Sequence, residues 1–505
     1  MDAPVENQPQ TGGQTPHAVA QEIDWADYRD HLTTADKDGH RRWLYPKKPS
    51  GFWYQHRTHL SWLLIAVMFA GPWIRIQGNP LLLVNIVERR FSILGQIFWP
   101  QDTLIFAVAM LLFFAGIMVF TTAFGRLWCG WTCPQTVMME MVFRKLEYLI
   151  EGDSAEQRTL DTAPWTVRKV LKKALKHLVF FGASLLVGNT LLAYLIGSEQ
   201  LLHIQLDDPR NHVVGLTFML LFSLLFYAIF ARFREQACTF ICPYGRFQSA
   251  LLDENTLLVA YDQKRGEARA PLHRDETFSQ RQAEGKGDCI NCRACVAVCP
   301  TGIDIRNGVQ MECINCTACI DACDMIMDKV GQPRGLVRFA SLNNISHGTP
   351  QRFTSRMALY AVVLTGLISL FLYLVFTRCD VETTLLRAPG SLFQVTAEGR
   401  IENLYTMKVV NKTMHDIPLT LRLENLPGTV RVMGSSEFMV PAAKLAQTSV
   451  LIELAPTQLH QANTKLKLGI YNAHGKLLET VTTAFAGPRD SGHREGDEKH
   501  ENERR

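Results

Sequence analysis

The sequence predicts a multidomain membrane protein: an α-helical transmembrane bundle of five spans, a cysteine-rich α+β insert before the last span, and an all-β sandwich at the C-terminal end. Three observations carry this. Long uncharged apolar stretches recur, each able to cross a bilayer as a helix. Eight of the 13 cysteines fall between residues 289 and 323. Beyond about residue 386 the apolar pattern shortens and alternates, as strands do. The 20% charged residues are segregated between these regions, and a net charge of +4 is too small to argue for a nucleic-acid partner.

Residues 1–57 are polar, and the first apolar run starts near Leu60. They read as a cytoplasmic, largely disordered lead-in and not as a secretory signal. Residues 58–249 carry four expected spans, roughly Leu60–Ile76, Leu104–Phe124, Leu178–Ile196 and Val213–Ala231, and a fifth, Met357–Phe376, fills residues 357–377. Gly71-Pro72 bends the outer end of the first. The apolar segment Leu81–Trp99 holds Glu88, Arg89 and Arg90, so an interfacial or re-entrant segment is expected there.

Basic residues set the orientation. Arg41, Arg42, Lys47, Lys48 and Arg57 precede the first span; Arg126, Arg144, Lys145, Arg168, Lys169, Lys172, Lys173 and Lys176 separate the second from the third; Arg232 and Arg234 follow the fourth. Only Arg75, Arg89, Arg90 and Arg210 lie on the other side. The N-terminus and the insert, residues 250–356, are therefore expected in the cytoplasm, and the C-terminal domain, residues 378–487, outside.

Within the insert, Cys289, Cys292, Cys295 and Cys299 are followed by Pro300, and Cys313, Cys316, Cys319 and Cys323 repeat the spacing. A doubled C-x-x-C-x-x-C-x-x-x-C is the ligand set of a ferredoxin with two [4Fe–4S] clusters, in which the fourth cysteine of each run serves the other cluster. One cluster is thus assigned Cys289, Cys292, Cys295 and Cys323, and the second Cys299, Cys313, Cys316 and Cys319. Zinc favours separated ligand pairs and disulfides need an oxidising compartment, so both fit less well. One-electron transfer in a reducing compartment follows.

A second set lies at the ends of the second and fourth spans. Cys129 and Cys133 sit in Leu-Trp-Cys-Gly-Trp-Thr-Cys-Pro, and Cys238 and Cys242 in Cys-Thr-Phe-Ile-Cys-Pro-Tyr-Gly. The i, i+4 spacing is expected to put both thiols of a motif on one side of a helical turn, with proline opening the next helix. Four thiolates at matched depth suit Cu(I), zinc or a further cluster; plain packing of buried cysteines is the alternative. Met138, Met139 and Met141 could add thioethers but read as core. His203 and His212 could bind copper but read as exposed loop residues. Cys379, just past the last span, has no expected role.

In the C-terminal region seven strands are expected: Phe393–Val395, Tyr405–Val410, Leu419–Leu423, Thr429–Val432, Ser449–Leu454, Thr464–Tyr471 and Thr480–Ala484. Short alternating strands at this spacing suggest an immunoglobulin-like sandwich with a binding or positioning role. The tail, residues 488–505, is dense in charge and expected to be disordered, His493 and His500 included.

Taken together, the Trp-Cys-Gly-Trp-Thr-Cys-Pro-Gln-Thr motif at 128–136, Cys-Thr-Phe-Ile-Cys-Pro-Tyr-Gly at 238–245, the two ferredoxin runs and the terminal sandwich resemble the FixG/RdxA/CcoG family of cytochrome c oxidase accessory proteins. The resemblance spans most of the chain. It implies a bacterial inner-membrane protein with two [4Fe–4S] clusters that reduces Cu(II) to Cu(I) for maturation of cbb3-type cytochrome c oxidase. In that scheme Cys129, Cys133, Cys238 and Cys242 meet the copper. The implied partners are oxidase subunits, copper-delivery proteins and a cytoplasmic electron donor, and a homodimer is compatible. Two other functions fit the residues: an electron-transfer subunit linked to a quinone or another respiratory complex, and a non-enzymatic assembly scaffold whose clusters sense redox state.

Overall fold

The structure is a computed structural model that describes residues 33–34, 40–76, 79–85, 90–93, 96–99, 102–349, 354–390, 393–413, 415–434, 438–442, 444–459, 461 and 463–487. The charged tail with His493 and His500, and residues 1–32 of the lead-in, lie outside the described residues. The chain divides into two compact units, one made of Met1–Ile74 and Phe106–Ser369, the other of Arg75–Ile105 and Leu370–Arg505.

Five long helices can be named in chain order: α1 (Phe52–Ala70), α2 (Thr103–Phe124), α3 (Val167–Ile196), α4 (Val213–Ala228) and α5 (Ser355–Phe376). Among the described residues, α2, α3, α4 with its π-helical extension to Phe233, and α5 are long and apolar enough to cross a membrane. Large side chains such as Phe113 on α2, Leu221 on α4 and Val362 on α5 stand exposed, which suits contact with lipid. Helix α1 falls outside that group because its first two turns carry His56, Arg57 and His59, and Gly71-Pro72 closes it after 19 residues.

In the first unit, α1 runs between two levels. At its start the Asp321 carboxylate accepts the N–H groups of Trp53 and Tyr54, at 3.1 and 2.8 Å, satisfying donors that a helix start leaves free. At its end, Tyr194 Oη donates to Met68 O (2.8 Å) and Ser198 Oγ to Pro72 O (3.0 Å). Tyr194 belongs to the last turn of α3 and Ser198 follows it.

The basic residues between α2 and α3 are largely not free surface charges. Lys176 and Arg234 both pair with Glu147, Lys176 also with Glu151 (3.0 Å), and Lys173 with Glu151 (2.9 Å). Buried Arg144 pairs with Glu140 (3.3 Å) and Glu235 (3.8 Å). Residues 40–51, expected as part of a disordered lead-in, are laid against this region. Arg41 pairs with Glu235 (3.0 Å) and stacks on Trp43, Tyr45 Oη donates to Asp161, and Lys47 N donates to Ala297 O (2.7 Å). Trp43, Tyr45 and Pro46 bring enough aromatic and rigid surface to offset the cost of ordering.

The cysteine-rich insert is closed by an antiparallel strand pair, Leu258–Tyr261 with Val337–Ala340, in the register Val259↔Phe339. Its helices Ala294–Ala297 and Ala318–Lys329 each begin between cysteines of one run.

In the second unit two antiparallel sheets form a sandwich. One has the strand order Gly428–Val432, Leu445–Leu454, Ile401–Asn411, Val381–Arg387, with Gln394–Val395 also on Ile401–Asn411. The other runs Phe438–Val440, Ile417–Leu423, Asn463–Asn472, Leu477–Ala486. All seven expected strands are present, with Val381–Arg387 and Phe438–Val440 in addition. Along Ile401–Asn411, Ile401, Tyr405, Met407 and Val409 point into a core shared with Leu466, Leu468, Ile470 and Phe485. Tyr405 Oη crosses the core to donate to Ala484 O (2.9 Å).

The segment read as interfacial or re-entrant is instead a small antiparallel meander, Leu82–Asn85, Arg90–Ile93 and Gln96–Phe98, in the second unit. Pro80 and Pro100 bound the run, Glu88, Arg89, Arg90 and Gly95 break it inside, and Leu83 and Asn85 alternate inward against outward Val84.

Candidate functional site

Each cysteine run makes the same backbone excursion. Asn291 and Arg293 in the first run, and Asn315 and Thr317 in the second, take left-handed conformations (φ 55°, 54°, 52° and 65°). Such residues cost about 1–2 kcal/mol each away from glycine, so their repetition marks a constrained loop. The loops are pinned by side chains. Arg306 donates to Asn291 Oδ1 (2.6 Å), and Val259 N–H to Asn315 Oδ1 (3.3 Å).

The eight cysteines line two cavities. Cys289, Cys292, Cys295 and Cys323 face one of about 340 Å³, with Tyr261, Arg306, Met327 and Leu336. Cys299, Cys313, Cys316 and Cys319 face the other, also about 340 Å³, with Ile303, Ile305 and Ile314. Cys295 reaches the rim of both. Burial pushes the Cys295, Cys313 and Cys323 thiols up to about 12, so iron displaces protons on binding. Backbone N–H groups of Thr301, Gly302 and Ile303 counter burial at Cys299 by pointing at its sulfur.

These walls fit [4Fe–4S] clusters. Four soft sulfurs and apolar side chains surround each cavity. Among the described residues, no three cysteine sulfurs lie within 4.8 Å of one another. A single thiolate-bound ion at about 2.3 Å from each sulfur would draw them closer than that.

The membrane motifs are built from two short helices apiece. Cys129 lies in the helix Leu127–Trp131 and Cys238 in the π-helical turn Ala237–Ile241, while Cys133 and Cys242 are extended N-cap residues with Pro134 and Pro243 opening the next helices. The expected single helical turn therefore does not form. A residue before proline is driven out of the α region, and in both motifs the second cysteine's N–H reaches the carbonyl five residues back, Trp128 O and Ala237 O, each at 2.9 Å. Burial raises the Cys238 thiol to about 12, and Cys133, Cys129 and Cys242 each add to the rise, so the four thiols act on one another. Buried Arg126 and Gln248 complete the surroundings: Arg126 Nε donates to Gln248 Oε1 (3.0 Å), as does Cys129 Sγ (3.4 Å).

The two cysteine sets are in contact. Cys129 packs in one apolar cluster with Cys316 and Ile314. Trp131 Nε1 donates to Asn315 O (3.2 Å), Asn315 Nδ2 to Phe124 O (3.5 Å), and Arg57 Nε to Gly130 O (2.7 Å). A Cβ on Gly130 would lie 2.2 Å from Ile314 O, so glycine is required at this approach. A further cavity of about 440 Å³ opens beside Cys238, lined by Met139, Glu140, Arg126, Arg234, Glu235 and Glu312 among others, and shares Thr301 and Ile314 with the second cluster cavity. Sequence reasoning did not single out Gln248, Asn315, Glu140, Glu235 or Glu312; nothing in their local spacing distinguishes them from packing residues.

Met138, Met139 and Met141 are buried, the first two in the helical core with Phe143 and Phe180. Cys379 is exposed. His203 and His212 come together at the far end of α3 and α4, with ring centroids 5.8 Å apart.

Comparisons with known proteins agree with this layout. Residues 233–342 match a family described as a 4Fe-4S dicluster domain, residues 106–151 a 4Fe-4S binding domain, and residues 371–488 the IG-like fold at the C-terminal of FixG. The chain is 34% identical to Protein RdxA of Cereibacter sphaeroides, over 88% of this chain and 97% of that protein. It is 32% identical to the nitrogen fixation protein FixG of Rhizobium meliloti, over 78% and 82%. A crystal structure of a FixG-related protein from Vibrio parahaemolyticus matches 21% of this chain and 95% of its own, at 21% identity and a TM-score of 0.19.

Proposed function

From the premise that this chain belongs to the FixG/RdxA family of iron–sulfur electron-transfer proteins, we propose that it spends its electrons at the membrane thiols, reducing Cu(II) to Cu(I) for maturation of a cbb3-type cytochrome c oxidase. The two [4Fe–4S] clusters, when bound, supply one-electron storage and transfer. The observation that carries the reading is the contact of Cys129 and Gly130 with Ile314 and Cys316, which joins the membrane motif to the wall of the second cluster cavity.

Each Cu(II) takes one electron and leaves as Cu(I); a cytoplasmic donor replaces the electron. Glu140, Glu235 and Glu312 around the cavity beside Cys238 balance the Arg126 and Arg234 guanidinium groups that also line it, and the Cys238 sulfur with the Met139 thioether favours the reduced ion. A quinone would meet charged groups there and has no use for soft sulfur donors, so the copper reading is preferred. The membrane arrangement proposed has five crossings, α1 to α5, with the N-terminus and insert in the cytoplasm and the sandwich in the periplasm. Helix α1 supports it: its start meets Asp321 of the insert and its end the last turn of α3, and its 19 residues reach about 28 Å at 1.5 Å per residue.

The test is anaerobic Cu(II) reduction by pre-reduced, purified protein beside a variant with Cys129, Cys133, Cys238 and Cys242 changed to Ala, at matched iron content. Rapid Cu(I) formation lost in the variant supports the reading. Equal rates would move copper chemistry away from the thiols and favour plain electron transfer or a scaffold.

A further inference from the structure

We infer that His203, Asp207 and His212 form a second, separate metal site, for a divalent ion of borderline character such as Cu(II) or Zn(II). One ligand atom from each lies within 4.8 Å of the others, and among the described residues no other trio of histidine, cysteine or carboxylate groups does so. Two imidazoles and one carboxylate are a donor set that suits these ions, with Cu(II) held tightest.

The backbone presents the three ligands. His203 is in the last turn of the Ser198–Leu206 helix, and Asp207 is its C-cap, whose N–H donates to His203 O (3.0 Å). Two residues four apart share a helix face. His212 caps the start of α4, and its own N–H is tied to Pro209 O (3.3 Å). Within the trio the Asp207 carboxylate is already oriented: Oδ1 accepts from Asp208 N (2.8 Å), and Oδ2 lies 2.9 Å from His212 Nε2. The His203 and His212 rings meet at 89° with centroids 5.8 Å apart, so a small rotation aims a nitrogen of each at a common point. His203 is exposed and the other two are half-buried, leaving room for water or a substrate ligand at the ion.

The site is remote from the thiols. The 21 residues of Val213–Phe233 separate it from the Cys238 motif, about 30 Å of helix at 1.5 Å per residue. It therefore stands or falls independently of the reductase reading. An ion there would also clip the connection between α3 and α4.

The experiment uses full-length protein in detergent with Cys129, Cys133, Cys238, Cys242 and Cys379 changed to Ala, so that these thiols neither bind nor reduce copper. Cu(II) is titrated into the air-oxidised protein and followed by electron paramagnetic resonance. The expected result is one bound equivalent whose signal shows splitting from two imidazole nitrogens, displaced by excess Zn(II). His203→Ala or His212→Ala should weaken binding more than about 100-fold, since even groups outside the ligand set are worth about 10- to 100-fold. Asp207→Asn should weaken it less. No bound equivalent, or a signal that survives His203→Ala and His212→Ala unchanged, overturns the assignment and leaves adventitious binding only.

Discussion

Asn315 sits where three requirements meet. Its backbone is left-handed, its side chain joins the Val259 N–H to the Phe124 carbonyl, and its own carbonyl accepts from Trp131. Asn315→Val puts a β-branched residue into that conformation and removes both side-chain bonds. We expect the second cluster to be lost and the first retained, seen as iron content falling by about half, from two four-iron sites to one. Gly130 is the complementary case. Gly130→Ala pushes a methyl group against Ile314 O, 2.2 Å away, and against Cys316 N at 3.1 Å. Overpacking of this kind costs about 1–3 kcal/mol. Cluster spectra should persist while Cu(II) reduction slows, and stopped-flow traces of cluster reoxidation would show it. An unchanged rate would remove the contact from the electron path.

At the scale of elements, buried ion pairs fasten the helix Arg144–Glu151 to α3 and to the end of α4. Burial alone would raise the Glu147 carboxyl, but Arg234 and Lys176 overcome it and lower Glu147 from 4.5 to about 2. A depressed carboxylate contributes stability above its unfolded value and loses it as pH falls through the folded one. Glu147→Gln takes the carboxylate from buried Arg234 and leaves Lys176 with Glu151 alone, and should cost about 3–5 kcal/mol at neutral pH. The gap between the two proteins should then narrow as pH drops from about 4.5 toward 2, as measured by thermal unfolding; a constant gap would assign the loss to packing. In the sandwich, Tyr405→Phe removes only the bond to Ala484 O across the core. The lost bond is worth about 0.5–1.5 kcal/mol, visible as a lower midpoint for the sandwich transition with cluster spectra unaffected.

For the whole molecule, the number of crossings decides on which side of the membrane the lead-in lies relative to the insert. Five crossings put the lead-in and the insert on the same side of the membrane, whereas four, without α1, put them on opposite sides; α5 separates the insert from exposed Cys379 in either case. A membrane-impermeant maleimide added to intact spheroplasts should label Cys379 but neither an added Ser50→Cys probe just before α1 nor a Ser279→Cys probe on the exposed surface of the insert. Labelling of Ser50→Cys along with Cys379 would make α1 a helix of the bundle that does not cross, and labelling of Ser279→Cys in place of Cys379 would reverse the orientation.

What the sequence determined is local or repetitive. Cysteine spacing indicates a two-cluster insert because ligands close in sequence must close around one group. Charge-free runs of about twenty residues are legible as spanning helices, and alternation is legible as strands. The tertiary structure decided what depends on neighbours distant in sequence. Leu81–Trp99 is as apolar as a membrane segment, yet its breakers let it pair as strands. Residues 40–51 read as disordered alone and become ordered only because the insert and Asp161 offer partners. The two C-x-x-x-C-P motifs look like single helical turns until the residue before each proline leaves the helix. The contact of Gly130 with Ile314, and the meeting of His203, Asp207 and His212, depend on how helices pack, and residue types along the chain carry no record of that distance.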